Sequence, residues 1–256
     1  MADTSGSGDT GLPAGIEAAW GLRERPSKGP KPGIGLDRIV DAAIRLAADE
    51  GLAAVSMGRV AKALGVSTMS LYRYVGAKDE LYVLMQEAVI GTPPPVEQGA
   101  GWREALTSWA RAQRTVFQRH LWALRIPVSG PPATPNMVAW WEQGLVALEP
   151  TGLGSGDKIS VILLVSGFVR SEATMMADLD AAVRASGTPE QFTARYENML
   201  TRLADPVRYP SVAALLKTGV MTEPDEPDYE FTFGLDRILD GVAALVARCA
   251  GPDQGC

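Results

Sequence analysis

The stretch from Ser56 to Lys78 is the part of this chain whose residue types and spacing could do chemistry. Ser56 and Ser67 each stand just before a short amphipathic run, MGRVAKAL and TMSLYRY, and Gly65 separates the two. Serine before an apolar-periodic run is an N-cap signal, because its hydroxyl can take a backbone N–H that the first helical turn leaves unpaired. Two short helices that cross steeply need a small residue where they touch. They also need a glycine able to take positive φ in the turn, and an apolar residue to lock the pair. Ala61, Gly65 and Leu71 sit four and then six residues apart, and Val60, Leu64 and Val66 complete a miniature core. Between Gly51 and Lys78 the chain carries Arg59, Lys62, Arg73 and Lys78 and no acidic residue. A helical pair with unopposed positive charge is chemistry for phosphate: the helices position, the cations neutralise. A second helix over Ser67–Tyr74 spans about 12 Å, comparable to the width of a DNA major groove.

Other chemistries find little support. The 256 residues hold one histidine, His120, and two cysteines, Cys249 and Cys256. A zinc centre takes about four nitrogen or sulfur ligands, so no metal or cofactor is expected. His120 lies near the end of a helical run with no nucleophile motif beside it, and reads as a surface or capping residue rather than a catalyst. Two cysteines near the end of the chain make no disulfide framework, and a reducing cytoplasm is the simple expectation. The opening MADTSGSGDT has no apolar signal core, and the longest apolar run, residues 159–169, is short for a membrane span. The acidic stretch with Glu223, Asp225, Glu226, Asp228 and Glu230 contains prolines and reads as a solvated linker.

The elements that must hold Ser56–Lys78 are helices throughout. LDRIVDAAIRLAADEG has helical periodicity and ends on Gly51, and Lys78–Ile90 follows the paired helices and closes on Gly91. Further helices are expected over Trp102–Leu124, Asn136–Leu148, Lys158–Ala185, Pro189–Ala204, Ser211–Lys217 and Phe231–Ala250. No segment keeps a two-residue alternation, so the fold class is all-α with about ten helices. Residues 1–34 form a flexible N-terminal arm, basic over Gly21–Ile34, where Arg23, Arg25, Lys28 and Lys31 face Glu24 alone. Residues 35–90 form a three-helix DNA-binding domain, and residues 91–256 a larger helical domain.

The composition is 46% hydrophobic and 21% charged, with a formal net charge of −6. That total argues against a polyanionic partner until it is divided. Residues 1–90 carry 10 basic against 11 acidic side chains, and residues 91–256 carry 14 against 19. The acid is concentrated away from the paired helices, so charge by location permits DNA.

The stretch GLDRIVDAAIRLAADEGLAAVSMGRVAKALGVSTMSLYRYVGAKDELYVLM resembles the N-terminal domain of the TetR/AcrR family of bacterial transcriptional regulators. The most specific part is GVSTMSLYRYVGAKDEL. The closing FTFGLDRILDGVAAL is similar to the last helix of the subgroup nearest the tetracycline repressor. The resemblance implies that Thr68, Met69, Ser70 and Tyr72 approach bases or adjoining phosphates. It implies that Arg73, Tyr74 and Lys78 bind phosphate, with Arg59 close by. Gly58 stands where members often carry a basic residue. Arg23 and Arg25 are candidates for minor-groove insertion.

The resemblance also implies a ligand pocket in residues 91–256. Trp102, Trp109, Phe117, Trp140, Phe168 and Met175 are candidates for its apolar lining, with Arg111, Gln113, Asn136 and Glu172 as polar partners. It implies a homodimer too. Ile162 and Val169 in one helix, and Leu235, Ile238, Val242 and Leu245 in the last, form stripes suited to a four-helix interface. The expected function is a cytoplasmic, homodimeric repressor, not an enzyme, released from operator DNA by a small apolar or aromatic ligand. The alternatives are a ligand-binding relative with a weakened DNA site, or an activator.

Overall fold

A computed structural model of the chain describes residues 11–22, 34–128, 130–220, 226 and 228–249. Among these it has eleven α-helices, three 3-10 turns and no strand. The helices are α1 Ala14–Ala19, α2 Leu36–Glu50, α3 Met57–Leu64, α4 Thr68–Tyr72, α5 Lys78–Ile90 and α6 Trp102–Arg119. They continue as α7 Pro135–Leu148, α8 Ser155–Ser186, α9 Pro189–Leu203, α10 Pro210–Lys217 and α11 Tyr229–Cys249.

Helices α2 to α5 enclose the first core. Ile39, Val55, Val60, Leu71, Val75, Leu81 and Met85 are buried in it together. That core is not closed by residues 35–90 alone. The 3-10 turn Leu121–Arg125 and the residue after it bring in Trp122, Ala123 and Ile126. Arg170 of α8 holds this turn by donating to the carbonyls of Leu124 and Ile126, each at 2.7 Å.

The expectation of a flexible arm over residues 1–34 fails for its middle part. Helix α1 docks on α5, and Ala18 and Ala19 pack against the first core. Gly15 permits the approach: a Cβ there would stand 3.0 Å from Glu80 Cγ. Trp20 Nε1 donates to the Ala133 carbonyl at 2.7 Å. A six-residue helix is too short for its periodicity to stand out from noise. Arg23 and Arg25 lie outside the described residues.

The second core gathers α6, α7, α8 and α11 around Leu106, Trp109, Ile162, Val165, Phe231 and Leu239. Helix α8 is long and apolar enough to cross a membrane by length and composition. Here it packs instead against α6, α7 and α11. One charged group is buried at the centre. The Arg114 guanidinium makes a two-bond contact with Glu172, with Nε at 3.1 Å from Oε2 and Nη2 at 2.8 Å from Oε1. Its Nη1 reaches Asp228 at 2.5 Å, and its Cζ lies 4.4 Å from the Phe231 ring centroid. Asp228 stays exposed, as the sequence suggests, but it is not merely a linker residue. It joins α6 to the start of α11 from a left-handed backbone position, φ 66°.

Glu172 is 5% exposed, and removing one partner of a buried ion pair leaves an uncompensated charge. Glu172→Ala is expected to lower stability by about 3 kcal/mol. The double substitution Arg114→Met with Glu172→Leu should recover most of that loss in urea denaturation. An unmoved midpoint in Glu172→Ala would overturn the assignment of this pair as a core strut.

Candidate nucleic-acid interface and effector region

The paired short helices form as their punctuation suggests. Ser56 Oγ accepts the Arg59 N–H at 3.3 Å and starts α3. Gly65 ends it in the left-handed region, φ 69° and ψ 33°, and the Val66 N–H returns to the Ala61 carbonyl at 3.0 Å. Ser67 Oγ then accepts the Ser70 N–H at 3.3 Å and starts α4. Leu71 is fully buried and Ala61 nearly so, which fixes the crossing. The second helix is shorter than expected. It spans Thr68–Tyr72, with Arg73 as its C-cap, so Tyr74 lies in the following turn rather than on the helix.

Anchoring Leu71 inward turns its neighbours outward. Met69 is 74% exposed and Tyr72 47% exposed. Thr68 and Ser70 are half-buried on the same helix, and Arg73 is exposed at its end. The turn into α5 is held by the buried Glu80 carboxylate, which accepts the Gly76 N–H at 2.6 Å. Lys78, the first residue of α5, is exposed, with its Nζ 5.2 Å from the Tyr82 ring centroid. Thr68, Met69, Ser70, Tyr72, Arg73 and Lys78 thus lie on one short stretch around the crossing.

Arg59 is placed differently. Its Nη2 lies 2.5 Å from Glu50 Oε1, at the end of α2. The reading of four bases with no acid nearby misses this carboxylate, which lies outside Gly51–Lys78 but folds back onto α3. At Gly58 a Cβ would meet nothing within 4 Å, so the missing basic residue leaves open space.

The chain belongs to the tetR family of bacterial regulatory proteins. The family's DNA-binding model matches residues 39–85, and the model of the tetracyclin repressor-like C-terminal domain matches residues 94–246. The HTH-type transcriptional repressor DrrR1 of Streptomyces coeruleorubidus is 39% identical, over 97% of this chain and 91% of its own. Apo ActR of Streptomyces coelicolor superposes with TM-score 0.71 at 29% identity, covering 86% of this chain and all of ActR. ActR in complex with actinorhodin gives 0.68 at 31% identity, over 85% and 99%. This tetR-family chain is therefore a DNA-binding transcriptional regulator.

The residues expected to line a ligand pocket are mostly not gathered into one. Trp109 is buried, with Nε1 donating to the Trp140 carbonyl at 2.9 Å. Asn136 is bonded to α5: its N–H reaches Glu87 Oε1 at 2.9 Å and its Nδ2 reaches the Glu87 carbonyl at 3.0 Å. Phe168 stacks on Phe231 at 5.8 Å. Glu172 is committed to Arg114. Phe117 lies beneath Arg170 at 5.7 Å. Trp102 and Gln113 are half-buried, and Arg111 is exposed. Met175 lines a groove along α8 with Gly167, Arg170, Ser171, Thr174 and Asp178.

Trp140 lines a separate groove of about 550 Å³ between the end of α5, α6 and α7. That groove also contains His120, which the sequence reading set aside, and Arg119, which it did not single out. Burial and the Arg119 charge push the His120 imidazole below its ordinary value. The signal that marks this groove is tertiary: the end of α5 lies beside the end of α6.

Four of the six expected dimer residues are covered within the chain. Ile162, Val169, Leu235 and Val242 are buried between α8 and α11 of the same chain, while Ile238 and Leu245 are half-buried against that seam. The large apolar residues that α8 leaves uncovered are Ile159, Leu163 and Leu164 in its first half and Met175 and Leu179 further along.

The crossing depends on Gly65 holding positive φ, a region that β-branched residues enter at a cost. Gly65→Val is expected to lower stability by about 2 kcal/mol, and Gly65→Asn by less. Thermal unfolding followed by circular dichroism measures both. Equal midpoints for the two variants would refute a backbone origin.

Proposed function

We propose that the protein is a homodimeric repressor that reads operator DNA with α4 and is released by a small, largely apolar or aromatic ligand in residues 91–256. The observation that carries this reading is the outward presentation of Met69 and Tyr72 on a helix anchored from behind by Leu71. Thr68, Met69, Ser70 and Tyr72 face base edges, and Met69 suits a thymine methyl better than a hydrogen-bonding edge. Arg73, Tyr74 and Lys78 take phosphates, and Arg59 does so only after leaving Glu50. Lys78 adds the positive end of α5, whose first-turn amides point the same way.

A five-residue reading helix contacts few base pairs. Specificity then calls for two copies on two half-sites, with their reading helices about 34–36 Å apart. Support for a dimer comes from α8, where Leu163 and Leu164 are 56% and 54% exposed on a 32-residue helix. Support for a ligand comes from ActR, which is bound to actinorhodin. A ligand that favours a different separation of the reading helices weakens operator binding. By linkage, operator weakens the ligand by the same factor. Such a repressor works where the chromosome is, in the cytoplasm.

Selection of bound genomic fragments tests the reading directly, and recovery of no shared palindromic sequence would sink it. Lys78→Ala is expected to weaken all DNA alike and to flatten the slope of log K against log salt by about 0.9. Leu163→Arg is expected to give a folded monomer in sedimentation, with helicity unchanged and operator affinity lost. A dimer that persists in Leu163→Arg would place the interface elsewhere.

A further inference from the structure

The α5–α6–α7 groove lies at the opposite end of α5 from Lys78, about 18 Å away along the helix. Ile90, Ala112, Val116 and Trp140 give it apolar walls, while Arg119 and His120 stand on the α6 side. Its volume, about 550 Å³, falls within the range of small-molecule sites. No carboxylate is among its lining residues. Arg119 makes no ion pair among the described residues. Burial first, and the Arg119 charge second, hold the His120 imidazole below its ordinary value.

The groove along α8 offers no such group. Its Arg170 is committed to the Leu124 and Ile126 carbonyls, and its Asp178 to Arg125. A cation at the last turn of a helix complements the helix dipole. That accounts for Arg119 being basic, but not for its standing, exposed, over a groove whose lining has no carboxylate.

We propose that the α5–α6–α7 groove is the effector site, and that the effector is a flat aromatic acid whose rings lie against Trp140 and Val116 and whose anionic group pairs with Arg119. This rests on the ligand-released reading above and adds the ligand's chemical class and place. Charge pairing on the polar α6 side gives orientation, and the apolar walls give affinity. A molecule seated here touches Ile90 and Gly91, the last turn and cap of α5. The Gly91 carbonyl accepts Trp140 Nε1 at 3.0 Å, so displacing Trp140 loosens the end of the helix that carries Lys78.

Two fluorescent probes separate charge from shape. 1-Anilinonaphthalene-8-sulfonate and N-phenyl-1-naphthylamine share their ring system and differ by the sulfonate. On the full chain the sulfonate dye is expected to bind saturably, one per subunit. Arg119→Gln should weaken it about tenfold, close to 1.4 kcal/mol, and leave the neutral dye unchanged. Thr115→Trp, at an exposed lining position, should fill the groove and weaken both. Sulfonate affinity unchanged in Arg119→Gln, or both affinities unchanged in Thr115→Trp, would overturn the proposal. Operator anisotropy on the same preparations keeps the two readings apart. Arg119→Gln should bind operator like the parent chain, and a parent chain that binds no operator would refute the repressor reading without touching the dye result.

Discussion

Helix α5 is held by hydrogen bonds along its whole length, and the placement of the reading helix depends on them. At its start, the buried Glu80 carboxylate takes the Gly76 N–H and fixes the turn that follows α4. Near its end, Glu87 receives Asn136 twice, once on its side chain and once on its carbonyl. One turn later, the Gly91 carbonyl receives the Trp140 indole. Buried or half-buried bonds of this kind are costly to leave unmade. The reading end and the α7 end of α5 are thus each tied to their neighbours. A shift at either end must be accommodated by the other or by breaking one of these bonds.

A second tie runs in parallel. Trp122, Ala123 and Ile126 belong by sequence to the larger domain, yet they complete the core beneath α2 and α5. Arg170 grips the backbone of that same turn from α8. Helix α8 is in turn packed against α11 and pinned to α6 through the Glu172–Arg114 pair. The N-terminal helix α1 adds a third connection, because it lies on α5 while Trp20 bonds to Ala133 just ahead of α7. The two halves thus share hydrophobic contacts, not merely a linker. On the proposed reading, coupling between them needs no long pathway: the elements that touch the groove at Gly91 are the elements that place Lys78.

Local chemistry was legible in the sequence where it acts over a few residues. Ser56, Ser67 and Gly65 cap and turn the helices they precede or follow, and Ala61 and Leu71 meet at the crossing. Those relations span at most ten residues and carry a distinct residue type at each point. The helices of the larger domain were legible too, since Gly and Pro clusters separate long periodic runs. What a stripe of apolar residues does not encode is the identity of its cover. Ile162, Val169, Leu235 and Val242 have the spacing of an interface, and they form one within a single chain. Aromatic content likewise does not distinguish a wall from a strut. Trp109 and Trp140 both spend their indole N–H groups on backbone carbonyls. The Glu50–Arg59 pair escaped a window that began at Gly51, although a local charge balance extended by one residue would have included it.

The division of charge and the brevity of α4 point to the same constraint. A chain with net charge −6 gains little from non-specific attraction to a phosphate backbone. A helix of five residues offers few base contacts. Neither alone supports tight operator binding, so on the proposed dimeric reading the geometry of two simultaneous contacts supplies what each lacks. Such binding is sensitive to spacing rather than to the quality of any single contact. Once the second contact is lost, the remaining one is held only by the modest electrostatics of a single reading surface. On the proposed reading, a ligand therefore has no need to touch the reading surface or to unfold it. It has only to favour a position of α5 in which the two reading helices no longer fit successive major grooves. The Gly91 end of that helix, with Trp140 bonded to it and a groove beside it, is where a small molecule has the leverage to do so.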